Sequence, residues 1–201
     1  LLKQIEQSAQ RCREITQQLL RFSQKRGEVS LAPMDLNSLV TRAMTLERER
    51  SPGVTVDVVL PPEPTRIDGD AEQLEQVLSQ LCANARTAMK TSLEKRLSVS
   101  VAASDGGATL TVADTGKGVA PENVARIFEP FFTTKDVWTN IGLGLAVAYR
   151  VMQEHEGRIE VESEVGKGAR FVLTFKAAGT TQRKAAHGAL SIGGQGKGIT
   201  G

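Results

Sequence analysis

The chain has 201 residues, 40% apolar and 24% charged, which suffices to bury a core in one large domain, or in one full domain with a smaller companion, and excludes disorder throughout. Its 25 basic and 23 acidic side chains give a net charge of +2, too balanced for an electrostatic nucleic-acid binder. The longest nearly apolar run, Ile141 to Tyr149, falls far short of the ~20 residues of a membrane span.

Residues 1 to 25 read as one helix, because Leu1, Ile5, Ser8, Cys12, Ile15, Leu19 and Phe22 recur at alternating spacings of four and three. So narrow a stripe needs a second helix, from this protein or from another copy. With Leu as its first residue and no signal peptide, the chain is expected to be a fragment of a longer protein. Gly27 to Pro33 reads as a break. Leu36, Leu39, Val40, Ala43 and Leu46 then mark a helix that ends before Ser51-Pro52-Gly53. Val54 to Leu60 alternates as a strand, Pro61, Pro62 and Pro64 force a turn, and Thr65 to Asp68 is a short extended piece.

Asp70 is positioned to cap the next helix with Gln73 in the capping-box position, and Leu74, Val77, Leu78, Leu81, Cys82, Ala85 and Ala88 supply its apolar face. Cys12 and Cys82 make neither a disulfide framework nor metal-ligand spacing, and read as buried thiols of a reducing compartment. Leu97 to Ala103 and Thr109 to Ala113 are strands joined by a hairpin turn at Asp105-Gly106-Gly107. Beyond Asp114 the chain is glycine-punctuated and irregular to about Asn140. A helix follows from about Leu143 to Glu156, capped by Gly157, and then strands Arg158 to Glu162 and Ala169 to Lys176 around a turn with Gly166 and Gly168. The last 14 residues hold six glycines and read as linker or tail. The elements sum to an α+β two-layer sandwich with a mostly antiparallel sheet.

Three local features carry chemistry. Asp114-x-Gly116-x-Gly118 ends a Val-rich strand, where glycines admit positive φ and close approach of a flat ligand, and a carboxylate could accept from an exocyclic amine such as that of adenine. A plain Asp-Gly turn would look the same. Gln80 and Asn84, four apart, put two amides on one face of an otherwise apolar helix, as partial ligands for Mg²⁺ held mainly by phosphate or as groups bonded to neighbouring backbone. Gly142-x-Gly144 opens a helix, whose N–H groups and positive end suit an anion. Before it, Phe128, Phe131 and Phe132 read as an aromatic hinge at the root of a mobile loop, and Lys135 meets a phosphate or is simply solvated.

In this order, the features resemble the ATP-binding catalytic domain of sensor histidine kinases, within the wider family of gyrase, heat-shock chaperone and mismatch-repair ATPases, over about Met34 to Lys176. Gln76 to Ala85 resembles the N box, Asp114 to Val119 the first glycine box, Phe128 to Lys135 the F box and Gly142 to Leu145 the second glycine box. The resemblance implies a two-layer α/β sandwich of the histidine kinase ATPase type, with helices on one face of a mixed, mostly antiparallel sheet and a long helix preceding it. Residues 1–26 would be the second helix of a dimerisation and phosphoacceptor hairpin, 34–177 the catalytic domain and 178–201 a glycine-rich tail.

Carried over to these positions, the resemblance implies that Asp114 receives the adenine amine and that Gly116 and Gly118 shape the base pocket. Asn84 would hold Mg²⁺ and phosphate together with Gln80, and Gly142, Leu143, Gly144 and Leu145 would hold phosphates. Ala88, Val119, Phe128, Thr133, Thr134 and Lys135 would complete the ATP site, with Asn84, Gln80 and Lys135 as its catalytic members. Residues 133 to 141 would be the ATP lid. Two departures stand out: Gln80 where the N box usually has a first Asn, and Asn140-Ile141 where the lid usually ends Gly-Thr.

The implied mechanism sends the γ-phosphate of Mg-ATP to a hairpin histidine and then to an aspartate of a response-regulator receiver domain. That histidine is not in this chain, whose His155 and His187 read as non-catalytic. The family further implies a homodimer in the full-length protein and a cytoplasmic location. The fragment itself is expected to touch neither nucleic acid nor membrane, any membrane anchor lying elsewhere in the protein. A non-catalytic ATP-dependent interaction module of the same fold is the alternative, suggested by the two departures. An ATPase or serine kinase of that fold would lack the heptad helix.

Overall fold

The computed structural model describes residues 31–134 and 141–179, together with Glu6, Arg13 and Thr16 in helical conformation. Apart from those three positions, the expected helix over residues 1 to 25 lies outside the described residues, as do Lys135 to Asn140 and the chain beyond Gly179. The described elements are β1 (Ala32–Asp35), α1 (Leu36–Arg50), β2 (Thr55–Val59), β3 (Arg66–Gly69), α2 (Ala71–Ala88), β4 (Arg96–Ser104), β5 (Gly107–Asp114), α3 (Pro121–Val124), α4 (Gly144–Glu154), β6 (Arg158–Glu164) and β7 (Gly168–Lys176).

Period-two alternation along the strands decides the layering. Leu97, Val99 and Val101 on β4, Leu110 and Val112 on β5, Ile159 on β6 and Phe171, Leu173 and Phe175 on β7 are buried in one cluster with the apolar faces of α1, α2 and α4. The residues between them face away from the helices, and many carry charge, as do Arg96, Arg170, Glu160 and Glu162. The main sheet runs β2-β4-β5-β7-β6, with β2 and β4 parallel and the remaining pairs antiparallel. The architecture is therefore the α+β two-layer sandwich expected, with helices on one face.

Three local expectations change. The break over Gly27 to Pro33 runs into a strand, β1, which pairs antiparallel with β3 in a separate ribbon. It contains Pro33 and is too short to alternate visibly, as suits an edge strand. The irregular stretch after Asp114 contains α3, a single turn with Pro121 in its first position. At the end of α4 the left-handed residue is Glu156 (φ 50°), not Gly157. Glu156 N–H donates to Gln153 O and Gly157 N–H to Met152 O, the pattern of a Schellman cap one residue earlier than a glycine would mark it. Gly157 is bare for a packing reason, since a Cβ there would stand 2.6 Å from Thr174 O.

Both long helices that precede the hairpin have aspartate caps. Asp35 accepts from the N–H groups of Asn37, Ser38 and Thr65. Burial pushes its carboxyl up, but these bonds and that from Ser38 Oγ outweigh burial and hold it below the ordinary carboxylate value. Asp70 accepts from Glu72 and Gln73 N–H at 3.0 and 3.1 Å, as expected. Gln73 does not return the bond: Asp70 N–H donates instead to His155 Nε2 at 2.9 Å, so the capping box is half formed. Between the helices, Glu47 of α1, 4% exposed, takes a hydrogen bond from Ser51 Oγ and an ion pair from Arg86 of α2. Beside that pair lies Cys82, whose thiol is pushed up to about 12, first by burial and then by the charge of Glu47.

Candidate functional site

Helix α2 is the ruler of the site. Gln80, Asn84 and Ala88 recur at intervals of four and share one face, spanning about 12 Å along the axis at 1.5 Å per residue. Gln80 and Asn84 are half-buried. Each end of this row docks against one of the glycine-bearing segments singled out in the sequence.

At the Ala88 end lies the turn after β5. Asp114, 9% exposed, is paired with Leu97 on one side and Ala169 on the other, and its Oδ1 accepts Gly116 N–H at 2.7 Å. Lys117 N–H donates to Ala88 O at 3.1 Å, so the turn is stitched to the last residue of α2. The missing side chain of Gly116 lets Ala88 approach, since a Cβ there would meet Ala88 Cβ at 2.5 Å. A Cβ on Gly118 would meet Glu164 O at 2.1 Å. The space these two glycines leave is filled by the protein itself, which is a packing reason for glycine beside any role in shaping a base pocket. Val119 N–H donates to Ser163 Oγ, which in turn donates to Gly168 O at 2.7 Å, tying the turn to the β6–β7 hairpin.

At the Gln80 end lies the start of α4. Leu143 occupies its N-cap with no side-chain cap, whereas α1 and α2 have Asp35 and Asp70. Opening a helix without a cap leaves its first N–H groups and positive end for an anion. Gly144 is the first helical residue, and Gln80 Oε1 stands 2.5 Å from where its Cβ would be. The longer amide at position 80 thus reaches across to α4. Leu143 is buried, while Gly142, Gly144 and Leu145 are half-buried.

The described segments on either side of Lys135 to Asn140 are held together. Phe131 N–H donates to Gly142 O at 3.0 Å, and a Cβ on Gly142 (φ +74°) would stand 2.5 Å from Phe132 O. Of the expected hinge aromatics, Phe128 lies 5.5 Å from the Tyr149 ring, and Phe132 carries the Arg126 guanidinium at 4.5 Å from its centroid. Phe131 is the most exposed of the three. It is 57% exposed and sits in the left-handed region at φ 67°, an uncommon conformation for a bulky residue. Thr133 is half-buried and Thr134 exposed, and Lys135 and Asn140 lie outside the described residues. Tyr149, Arg126, Ser163 and Gly168 support the site without having been visible as members of it, because each acts through a neighbouring residue and not on the site directly.

Comparison with known proteins places the chain in a family. Residues 69–179 match the family described as histidine kinase-, DNA gyrase B-, and HSP90-like ATPase. Sensor histidine kinase ZraS of Escherichia coli K12 is 35% identical over 171 residues, covering 82% of this chain and 35% of that protein. The C4-dicarboxylate transport sensor protein DctB of Rhizobium meliloti is 34% identical over 180 residues, covering 88% and 28%. The chain therefore spans about a third of the length of the curated relatives it matches. Full-length ShkA in complex with AMPPNP superposes with a TM-score of 0.67 at 32% identity, over 80% of this chain and 35% of that one. The nucleotide-free catalytic domain of histidine kinase ThkA superposes with a TM-score of 0.64 at 26% identity, over 73% and 95%.

Proposed function

Because the chain belongs to the histidine kinase-, DNA gyrase B- and HSP90-like ATPase family, we propose that it is the ATP-binding catalytic part of a two-component sensor histidine kinase. The observation that carries this reading is the row Gln80, Asn84 and Ala88, docked at one end on the uncapped start of α4 and at the other on the Asp114 turn. Asp114 accepts the exocyclic amine of adenine, and the first N–H groups of α4 take the phosphates. One helix sets the separation between the two.

The donor set also fits Mg²⁺. Amide oxygens of Asn84 and Gln80 are hard, neutral donors that would hold the ion together with phosphate and water, and Gln80 Oε1 already points at the helix end where phosphate would lie. Bound there, the ion would neutralise phosphate charge. The chain's own residues bind, orient and exclude water, and they supply no nucleophile. The phosphoryl group leaves the bridging oxygen of ATP, giving ADP, and forms a P–N bond with a histidine imidazole on the dimerisation hairpin. From there it passes to an aspartate of a response-regulator receiver domain. Residues 1–26 belong to that hairpin, 34–177 form the catalytic domain, and the full-length protein works as a homodimer in the cytoplasm. Among the described residues no helix is long and apolar enough to cross a membrane.

A titration with Mg-ATP and Mg-GTP, followed by thermal unfolding, tests the binding step. Mg-ATP at a hundred times its Kd stabilises by about 2.7 kcal/mol, and Mg-GTP does not. Labelled ATP tests the transfer: a separately supplied hairpin bearing the histidine becomes labelled and this chain does not. Binding without transfer would select the non-catalytic module instead.

A further inference from the structure

We propose that His155 is a positioning residue for the phosphate end of the site, acting through the full length of α4. The inference rests on the nucleotide reading above and adds to it a residue at the opposite end of the helix from Gly144.

Helices α2 and α4 touch at two matched places. Gln80 meets Gly144, the first residue of α4, and Asp70, the cap of α2, meets His155, the residue just past the last turn of α4. Asp70 to Gln80 is ten residues and Gly144 to His155 eleven, about 15 and 16 Å of helix. The helices therefore run in opposite directions, and the two contacts close a frame whose sides differ by one residue. Fixing one end of that frame fixes how the other end lines up.

The His155 contact is built to hold. The ring is 3% exposed. Its Nδ1 lies 2.8 Å from Val151 O and its Nε2 accepts Asp70 N–H at 2.9 Å, so the proton is on Nδ1 and both ring nitrogens are committed. A buried N–H at a helix cap must find an acceptor, and Gln73, the residue that would fill a capping box, leaves it to His155. The Schellman cap through Glu156 and Gly157 holds the end of α4 from which the ring projects. Gly69 lies beside the ring: a Cβ there would come within ordinary van der Waals distance of His155 Cδ2, at 3.5 Å, and would crowd Leu74 Cδ1 at 2.9 Å. A rigid ring reaching a backbone N–H fixes the axial register of α4 on α2. That register aligns the open start of α4 with Gln80 and Asn84.

The test compares ligands that use different parts of the site. His155→Asn keeps a donor for Val151 O but is too short to reach Asp70, while His155→Gln restores an acceptor at the right length. In calorimetric titrations, His155→Asn weakens Mg-ATP about tenfold and leaves adenosine within about twofold, and His155→Gln recovers most of the loss. A merely structural role would lower the melting temperature without changing the ratio of ATP to adenosine affinity, and an unchanged ratio overturns the proposal. If the wild-type chain bound neither ligand, the nucleotide reading would itself fail, and this inference with it. Should His155→Asn not fold, hydrogen exchange on the wild-type chain decides. Mg-ADP slows exchange of the Asp70 amide about fivefold or more and adenosine does not, because coupling between the two ends is reciprocal. Equal protection by both ligands, or by neither, overturns the proposal.

Discussion

A Cβ built on Gly168 would stand 1.8 Å from the carbonyl oxygen of Asp114. The residue at the end of β5 that is expected to receive the base is thus held by the first residue of β7, which also has φ +94°. Gly168→Ala adds a backbone clash to left-handed strain and costs about 3 kcal/mol or more. Gly166 in the same turn has φ +81° but nothing within 4 Å of a Cβ, so Gly166→Ala carries the strain alone, about 1 kcal/mol. Urea midpoints of the two variants measure the difference, and equal midpoints would mean that the Gly168 contact with Asp114 is dispensable.

Asp114→Ala removes the proposed acceptor for the adenine amine and also the acceptor of Gly116 N–H. ATP affinity drops by roughly 1 to 3 kcal/mol, about 5- to 150-fold. Asp114→Asn retains an oxygen for Gly116 and separates the two effects: it weakens ATP while leaving the urea midpoint close to wild type. Calorimetry with unchanged ATP affinity in both variants would locate the base elsewhere.

Gly142 and Gly144 differ in what a methyl group would meet. On Gly142, with φ +74°, it meets backbone at Phe132 O, so Gly142→Ala costs about 2 to 4 kcal/mol. On Gly144 it meets the free end of the Gln80 side chain, which can swing away. Gly144→Ala therefore changes stability by less than about 1 kcal/mol. Its effect falls on ligand binding: with the amide displaced, the gain in ATP affinity on adding Mg²⁺ shrinks. Titrations with and without Mg²⁺ check this, and an undiminished gain would remove Gln80 from the metal shell.

The Cys82 thiol, ordinarily at 9.0 and here pushed up to about 12, stays protonated in the folded protein while the unfolded chain loses its proton. Its stabilising effect is complete below pH 9.0 and is lost as pH rises toward 12, on the order of 1 kcal/mol per pH unit. Between pH 9 and 11 the wild-type stability should fall more steeply than that of Cys82→Ala. At pH 8, iodoacetamide followed by peptide mass spectrometry should find Cys82 alkylated only after unfolding. Parallel pH slopes would show the thiol to be solvated in the native state.

Local chemistry determined much of this protein by itself. The helix containing Gln80 and Asn84 was legible from its apolar spacing and from Asp70 at its cap, the β4–β5 hairpin from Asp105-Gly106-Gly107, and the boxes from their glycines and their order. These are relations within a few residues, where periodicity, caps and turns act. What only the tertiary structure decided are partnerships across long stretches of chain. The β1–β3 ribbon, the sheet order β2-β4-β5-β7-β6, the Glu47–Arg86 ion pair and the bond from Asp70 to His155, 85 positions away, have no local signature. A glycine in sequence could not declare whether its missing side chain admits a ligand or Ala88, nor a buried N–H which acceptor would reach it. Both depend on what packs against them once the helices lie on the sheet.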